Sequence, residues 1–260
     1  MKYGNPATVE EKVLIQTFAS NFALNFSIPL LESHLQLMFE KKDKFVGSKA
    51  LSFAIKFTSA ATKQDNTMDK LKPFVENILY DTIIPIMFIT EKDMNTFTND
   101  PVEYIRNLYD FTETLFQPKN TVQDLLVYLC RYSSQKKKGK KGKTKKGKPD
   151  YLHPFLSFAV KNLDEYNSKI ASGEGADFRI KEAIMYAIGT IKDEIWGEKD
   201  LKSQMEQMLF SYVLPELESP QPFMRQRACQ TYGVYSDTKF KLPGHVDKIV
   251  EGIFKNMQED

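Results

Sequence analysis

The sequence predicts an all-α fold: a HEAT/armadillo-type α-solenoid, a right-handed superhelix of about four to six antiparallel helix pairs. Three observations carry that expectation. An apolar template at i, i+4, i+7, i+8 and i+11, one stripe of a helix with 3.6 residues per turn, recurs four times. It fits Met224, Ala228, Thr231, Tyr232 and Tyr235; Ile180, Ile184, Ala187, Ile188 and Ile191; Val122, Leu126, Leu129, Cys130 and Ser133; and Val46, Ala50, Phe53, Ala54 and Phe57. The copies start at 46, 122, 180 and 224, at intervals of 76, 58 and 44. Finally, the middle interval contains a fourteen-residue lysine-rich stretch, 135–148, whose removal restores 44, the forty-odd period of a HEAT unit.

Each element follows from local signals. Thr8 to about Asn25 reads as a helix with Val9, Val13, Leu14, Thr17 and Phe18 on its apolar face. Ser27 is placed to cap a second helix reaching Lys41, with Pro29 in its first turn. Leu30, Leu31, Leu35, Met38 and Phe39 form its expected buried side, and Val46 to about Thr62 is its partner. Lys63 to Asp69 reads as a loop. Leu71 to Thr90 is a long apolar helix that Pro85 should bend, because proline removes a backbone donor. Glu91 to Asn99 reads as irregular, and Asp100-Pro101 starts the helix DPVEYIRNLYDFTETLF, which Pro118 ends. Thr121 to Ser133 is the second template helix. Farther on come a first helix from Tyr151 to Lys169, a loop at Gly173 to Gly175, and Asp177 as the cap of the third template helix. Leu201 to Leu217 precedes the fourth, and Val246 to Met257 is a final helix without a pairing partner. The expected organisation is HEAT-type repeats over 1–134 with an extra helical insertion near 90–118, a disordered lysine-rich inter-repeat loop over 135–149, and further repeats over 150–260.

Charge is unevenly distributed. The chain carries +2 overall, and nine lysines with no acid lie between Lys136 and Lys148, so the remainder stands at −7. A mildly acidic folded part therefore carries one intensely basic segment. Lys136, Lys137, Lys138, Lys140, Lys141, Lys143, Lys145, Lys146 and Lys148 are the candidate interaction residues. They read either as a solvated linker or as an electrostatic contact with nucleic acid, an acidic protein, or the concave face of their own solenoid. The tract has no interleaved aromatics to stack bases, which argues against sequence-specific nucleic-acid recognition. Short lysine runs of this kind also serve as nuclear localisation signals.

Signals for chemistry are missing. His34, His153 and His245 are far apart and read as surface or helix-end histidines. There is no phosphate loop, dinucleotide fingerprint or nucleophile elbow. The expectation is a binding protein with no catalytic, cofactor or metal residues. Cys130 and Cys229 fall in or beside apolar helix faces and read as free thiols. No apolar run approaches the roughly 20 residues that span a bilayer, so membrane insertion is not expected. Nor does the N-terminus carry the apolar core of a secretory signal. Arg179, Lys181, Arg225 and Arg227, at the starts of second helices, are expected to make ion pairs within or between repeats.

Two runs carry a resemblance. The first is LKPFVENILYDTIIPIMFITEKDMNTFTNDPVEYIRNLYDF, most specific at Asp100, Pro101, Glu103, Tyr104 and Arg106. The second is KDLKSQMEQMLFSYVLPELESPQPFMRQRACQTYGVYSDTKF, through Gln204, Met205, Glu206, Met208, Leu209, Pro215, Met224, Arg225, Arg227, Ala228 and Cys229. With Ala183 to Ile195 between them, these resemble the importin seven and eight branch of the β-karyopherins, in its central HEAT repeats only. The resemblance implies an acidic inner surface for basic cargo such as ribosomal proteins or histones. It also implies apolar clefts between outer helices for phenylalanine-glycine nucleoporins, and residence in cytoplasm, nucleus and nuclear pore. Ran-GTP binding stays open, because the family concentrates those contacts in amino-terminal repeats that have no counterpart in the resemblance. The lysine tract departs from the short connection of the relatives. A generic HEAT scaffold for protein assembly, or a lysine-loop tether to nucleic acid, are the alternatives the residues leave standing.

Overall fold

Pro29, Pro85 and Pro215 sit inside helical runs, and each follows a widened turn. In the computed structural model, which describes residues 12–40, 46–110, 116–134, 136–138 and 144–259, helix α1 (Lys12–Phe18) passes through π-helical Ala19–Ser27 into α2 (Ile28–Glu40). Phe18 and Ile28 both keep right-handed helical dihedrals. The expected break at Ser27 is therefore absent, and Ser27 is buried within the run instead of capping it. Pro29 follows the last π residue by two, as Pro85 follows Ile78–Ile83 and Pro215 follows Leu209–Val213. A helical proline lacks its N–H and crowds the carbonyl four residues back, and a turn bonded i→i+5 relieves both problems. At Pro85 the anticipated distortion takes this form.

The chain divides into two compact units, Met1–Ile86 with Pro101–Leu129, and Met87–Asp100 with Cys130–Asp260. In the first, α2 packs on α3 (Ser48–Ala61), as the helix-pair reading requires. Leu31, Leu35 and Met38 of α2 are buried, whereas Leu30 is exposed and Phe39 half-buried. On α3 the buried stripe is Leu51, Ala54, Ile55, Thr58 and Ala61, while Ala50 and Phe53 face solvent. The first template copy is thus out of phase, with only Ala54 of its five residues buried. Ser52 Oγ donates to the Phe116 carbonyl at 2.6 Å across 64 residues, and Lys63 lies over the Tyr128 ring. These contacts set α3 beside α9 (Pro118–Arg131) in parallel at an offset near 64 rather than 76. The counterpart of Val122 is therefore Thr58 (122 − 64 = 58). Polar letters mark the true stripe because their hydroxyls are satisfied within the helix: Thr58 Oγ1 donates to Ala54 O at 2.9 Å and Ser59 Oγ to Ile55 O at 2.8 Å.

Helix begins earlier than expected after α3. α4 (Asp65–Leu71) leads through a 3-10 turn at Lys72–Phe74, where Pro73 sits, into α5 (Val75–Asn77), the π stretch and α6 (Ile84–Met87). Contrary to expectation, the helical run Asp65–Asn99 is long and apolar enough to cross a membrane, by length and composition only. Half of its most apolar window is buried in the protein, where Met68, Leu71, Val75, Ile78, Leu79 and Ile83 are wholly enclosed. The stretch expected to be irregular is helix α7 (Glu91–Asn99), secured by a reciprocal capping box between Thr90 and Asp93. α8 (Pro101–Tyr109) starts on its proline as predicted, and the rest of the expected helix, 111–115, lies outside the described residues.

The second unit holds α10 (Leu152–Ala171), α11 (Phe178–Thr190), α12 (Lys192–Gly197), α13 (Lys199–Met208), α14 (Pro222–Val234) and α15 (His245–Glu259). Gly173, at φ +77°, closes α10: its N–H reaches Ile170 O, and Glu174 N–H reaches Lys169 O. Asp177 caps α11, accepting from Arg179 N at 3.0 Å. α11 and α14 lie side by side and parallel: Phe178 stacks on Phe223, Arg227 meets Glu182 across 45 residues, and Tyr235 Oη donates to Ile188 O across 47. That offset matches the 44-residue interval, and the third and fourth template stripes are buried apart from half-buried Ile180. Phe97 of α7 packs on Phe223 in the same unit.

The last helix is not free of partners. α15 packs on the 3-10 turn Leu214–Glu218 through Gly252 and Asn256, whose Nδ2 donates to Leu217 O at 3.0 Å. A Cβ on Gly252 would stand 2.9 Å from Leu217 Cδ1 and 3.0 Å from Leu217 Cβ. Gly252→Ala should therefore destabilise the protein by about 1–3 kcal/mol through overpacking, read as a lowered urea midpoint.

Candidate interaction surfaces

The lysine tract leaves the C-terminal end of α9 and returns at the start of α10. Its neck is tied: Ser134 N donates to Asp150 Oδ2 at 2.9 Å, Asp150 N to Tyr132 O at 2.9 Å, and the Tyr132 and Tyr151 rings stack. Within the segment expected to be disordered, β1 (Lys136–Lys138) pairs antiparallel with β2 (Thr144–Lys146). The register sets Lys136 opposite Lys146, Lys137 opposite Lys145 and Lys138 opposite Thr144. Lys148 is exposed after the ladder, and Lys140, Lys141 and Lys143 lie outside the described residues.

An apolar cleft of about 310 Å³ opens between α10 and the helical run that begins with α13. Leu156, Val160, Met205, Met208 and Tyr212 line it. Val160 is 39% exposed, so the cleft reaches solvent. Tyr212 donates to Asp164 Oδ1 at 2.6 Å, and burial together with that carboxylate pushes its phenol up to about 12. The hydroxyl therefore stays protonated as a fixed donor at the cleft wall.

Three buried carboxylates, which apolar periodicity does not reveal, join the helices of this unit. Glu182 receives Arg227 Nε at 2.7 Å, with the Arg227 guanidinium also over the Tyr186 ring. Glu194 receives Arg131 Nε at 2.9 Å. Glu216 receives Lys181 Nζ at 2.6 Å, and Asn167 Oδ1 takes a second donor from that ammonium at 2.8 Å. Arg179 pairs with its own cap Asp177, and Arg225 donates to Ser219 O. All four basic residues flagged by sequence thus serve packing. A signal for Glu182 alone was present in KEAIMY, where charge interrupts an apolar stripe. Lys181 is only 1% exposed. Burial lowers its pKa against the pull of Glu216. Lys181→Met should cost about 3–5 kcal/mol by stranding Glu216, while adding Glu216→Leu should recover most of the loss; a urea double-mutant cycle reads both.

Of the histidines, His34 stacks on Phe57 in the first unit. His245 is a helix-end residue as expected but fully buried, not on the surface. Its Nε2 is 3.0 Å from Tyr232 Oη and its Nδ1 3.5 Å from Glu206 Oε1, with Phe210 and Phe240 edge-on and Lys248 one turn along. Burial lowers its pKa, opposed by Glu206 and assisted by Lys248. The folded value thus lies below the ordinary 6.5. The stabilisation is complete above 6.5 and is lost as pH falls from there through the folded value. The urea midpoint should drop between pH 7.5 and 5.5, and His245→Asn, though less stable, should flatten that dependence. Cys130 is buried and Cys229 half-buried, both free thiols, and burial pushes the Cys130 thiol well up.

The comparisons with known proteins follow this architecture. An importin beta-like SAD2 homolog of Arabidopsis thaliana is 26% identical over 243 residues, 93% of this chain and 22% of its own length. Importin-8 of Homo sapiens is 25% identical over 260 residues, 100% of this chain and 23% of its own. A probable importin-7 homolog of Dictyostelium discoideum is 23% identical over 206 residues, 79% of this chain and 18% of its own. No protein-family model and no solved structure matches the chain. The chain spans less than a quarter of the length of these relatives. Along most or all of its length, this chain is similar to proteins of the importin seven and eight branch.

Proposed function

We propose that this chain is a nuclear transport receptor, or part of one, working by binding alone as it passes between cytoplasm and nucleus. The observation that carries the reading is the apolar cleft at Val160 and Met208, in a chain similar to importins. Its size and apolar walls suit the phenyl ring of a phenylalanine-glycine nucleoporin repeat, and Tyr212 offers a fixed polar group at its edge. Basic cargo, with ribosomal proteins or histones as candidates, would meet the acidic remainder of the chain. The lysine tract would compete for the same acidic surface.

Val160→Glu with Met208→Glu should abolish capture on immobilised phenylalanine-glycine repeats and leave the urea midpoint within about 0.5 kcal/mol, since both positions are partly exposed. Undiminished capture would remove the cleft from the mechanism. Deleting 135–148 should raise affinity for a basic cargo at low salt, and an unchanged affinity ends the competition idea. A chain that binds neither these repeats nor Ran-GTP would instead be a generic HEAT scaffold.

A further inference from the structure

The solvent face of α3 carries a row of lysines around one aromatic side chain. Lys49, Phe53, Lys56 and Lys63 lie at i, i+4, i+7 and i+14 along the helix and the turn after it, a single row of side chains. All three lysines are exposed, and Phe53 is 50% exposed. The row is organised by aromatic rings. Lys49 Nζ lies 5.0 Å and Lys56 Nζ 5.2 Å from the Phe116 ring centre, and Lys63 Nζ lies 4.2 Å from that of Tyr128. Phe53 packs against Phe116 at 5.7 Å. Cation–π seating restrains long side chains that would otherwise sample many rotamers, so less ordering is needed when a ligand arrives.

We propose that this face of α3 docks an acidic, extended peptide segment of a partner protein, with carboxylates on Lys49, Lys56 and Lys63 and an apolar side chain on Phe53. The spacing suits that occupant. Lys49 and Lys56 share one ring, which keeps their ammoniums within roughly 10 Å, the span of about three extended residues. The helix runs on from Lys56 to Ala61 and the turn after it carries Lys63, which continues the row by roughly another 10 Å. A single-stranded nucleic acid fits less well, because the Phe116 and Tyr128 faces on which bases would stack already seat ammonium groups. The ligand is opposite in charge to the basic cargo proposed above, so this surface stands or falls separately from that reading.

The test uses the full chain and a fluorescein-labelled peptide of glutamates around a central leucine, followed by anisotropy. Lys49→Gln, Lys56→Gln and Lys63→Gln together should weaken binding about tenfold or more, and Phe53→Ser about threefold, at unchanged urea midpoints. The matched charge control, exposed Lys199→Gln with Lys239→Gln and Lys255→Gln, should change it less than about twofold. Equal weakening by the control would mean unspecific attraction and overturn the proposal, as would no binding or an unaffected triple variant. Tighter, row-dependent binding of an oligothymidylate of similar length would overturn it in favour of nucleic acid.

Discussion

The second unit depends on the seam where α14 lies parallel to α11. Glu182 is wholly excluded from solvent there and is answered by Arg227, 45 residues away, at 2.7 Å. A buried carboxylate without its partner costs several kcal/mol, so sliding one helix past the other by a turn would strand the charge. The Tyr235 hydroxyl on the Ile188 carbonyl and the Lys192 ammonium on the Val234 carbonyl close the far end of the same seam. Lys181 and Glu216 then tie α11 to the turn on which α15 rests. Apolar stripes alone would permit several registers, and the buried charges leave one.

Proline placement works with this arrangement rather than against it. Pro29, Pro85 and Pro215 each follow a π stretch, so the missing donor and the crowded carbonyl are absorbed without ending the run. A π turn also rotates all later side chains relative to a 3.6-residue pattern. That rotation is why the buried residues between Met68 and Met87 form a continuous enclosed face although no single helical template spans them.

The surfaces available for binding are of two kinds. The cleft at Val160 and Met208 is apolar and lies between first helices, where neighbouring repeats part enough to admit a side chain. The row on α3 is cationic and aromatic, and lies on a second helix. The cleft is built from helices, and the row combines a helix with residues of the turns at Lys63 and Phe116. The lysine ladder differs: it is tied at its neck by Asp150, and its register sets Lys136 opposite Lys146.

Local signals alone determined much of this protein. Pro101 opens α8, Asp177 caps α11, and the later template stripes mark buried faces whose 44-residue interval reappears as the 45-residue offset of Glu182 and Arg227. These are legible because caps, prolines and apolar period act within a few residues. The resemblance to importins is legible too, in runs such as DPVEYIR and the Met-Arg-x-Arg-Ala-Cys of α14. Tertiary structure alone decided the face of α3, where Ser52 and Thr58 go inside and Phe53 outside. It also decided that Glu182, Glu194 and Glu216 are buried, and that His245 is enclosed rather than superficial. The physical reason is common to all of them. A polar group can be buried wherever a carbonyl, hydroxyl or counter-charge meets it, and those partners come from helices dozens of residues away or from the preceding helical turn, so no apolar period records them.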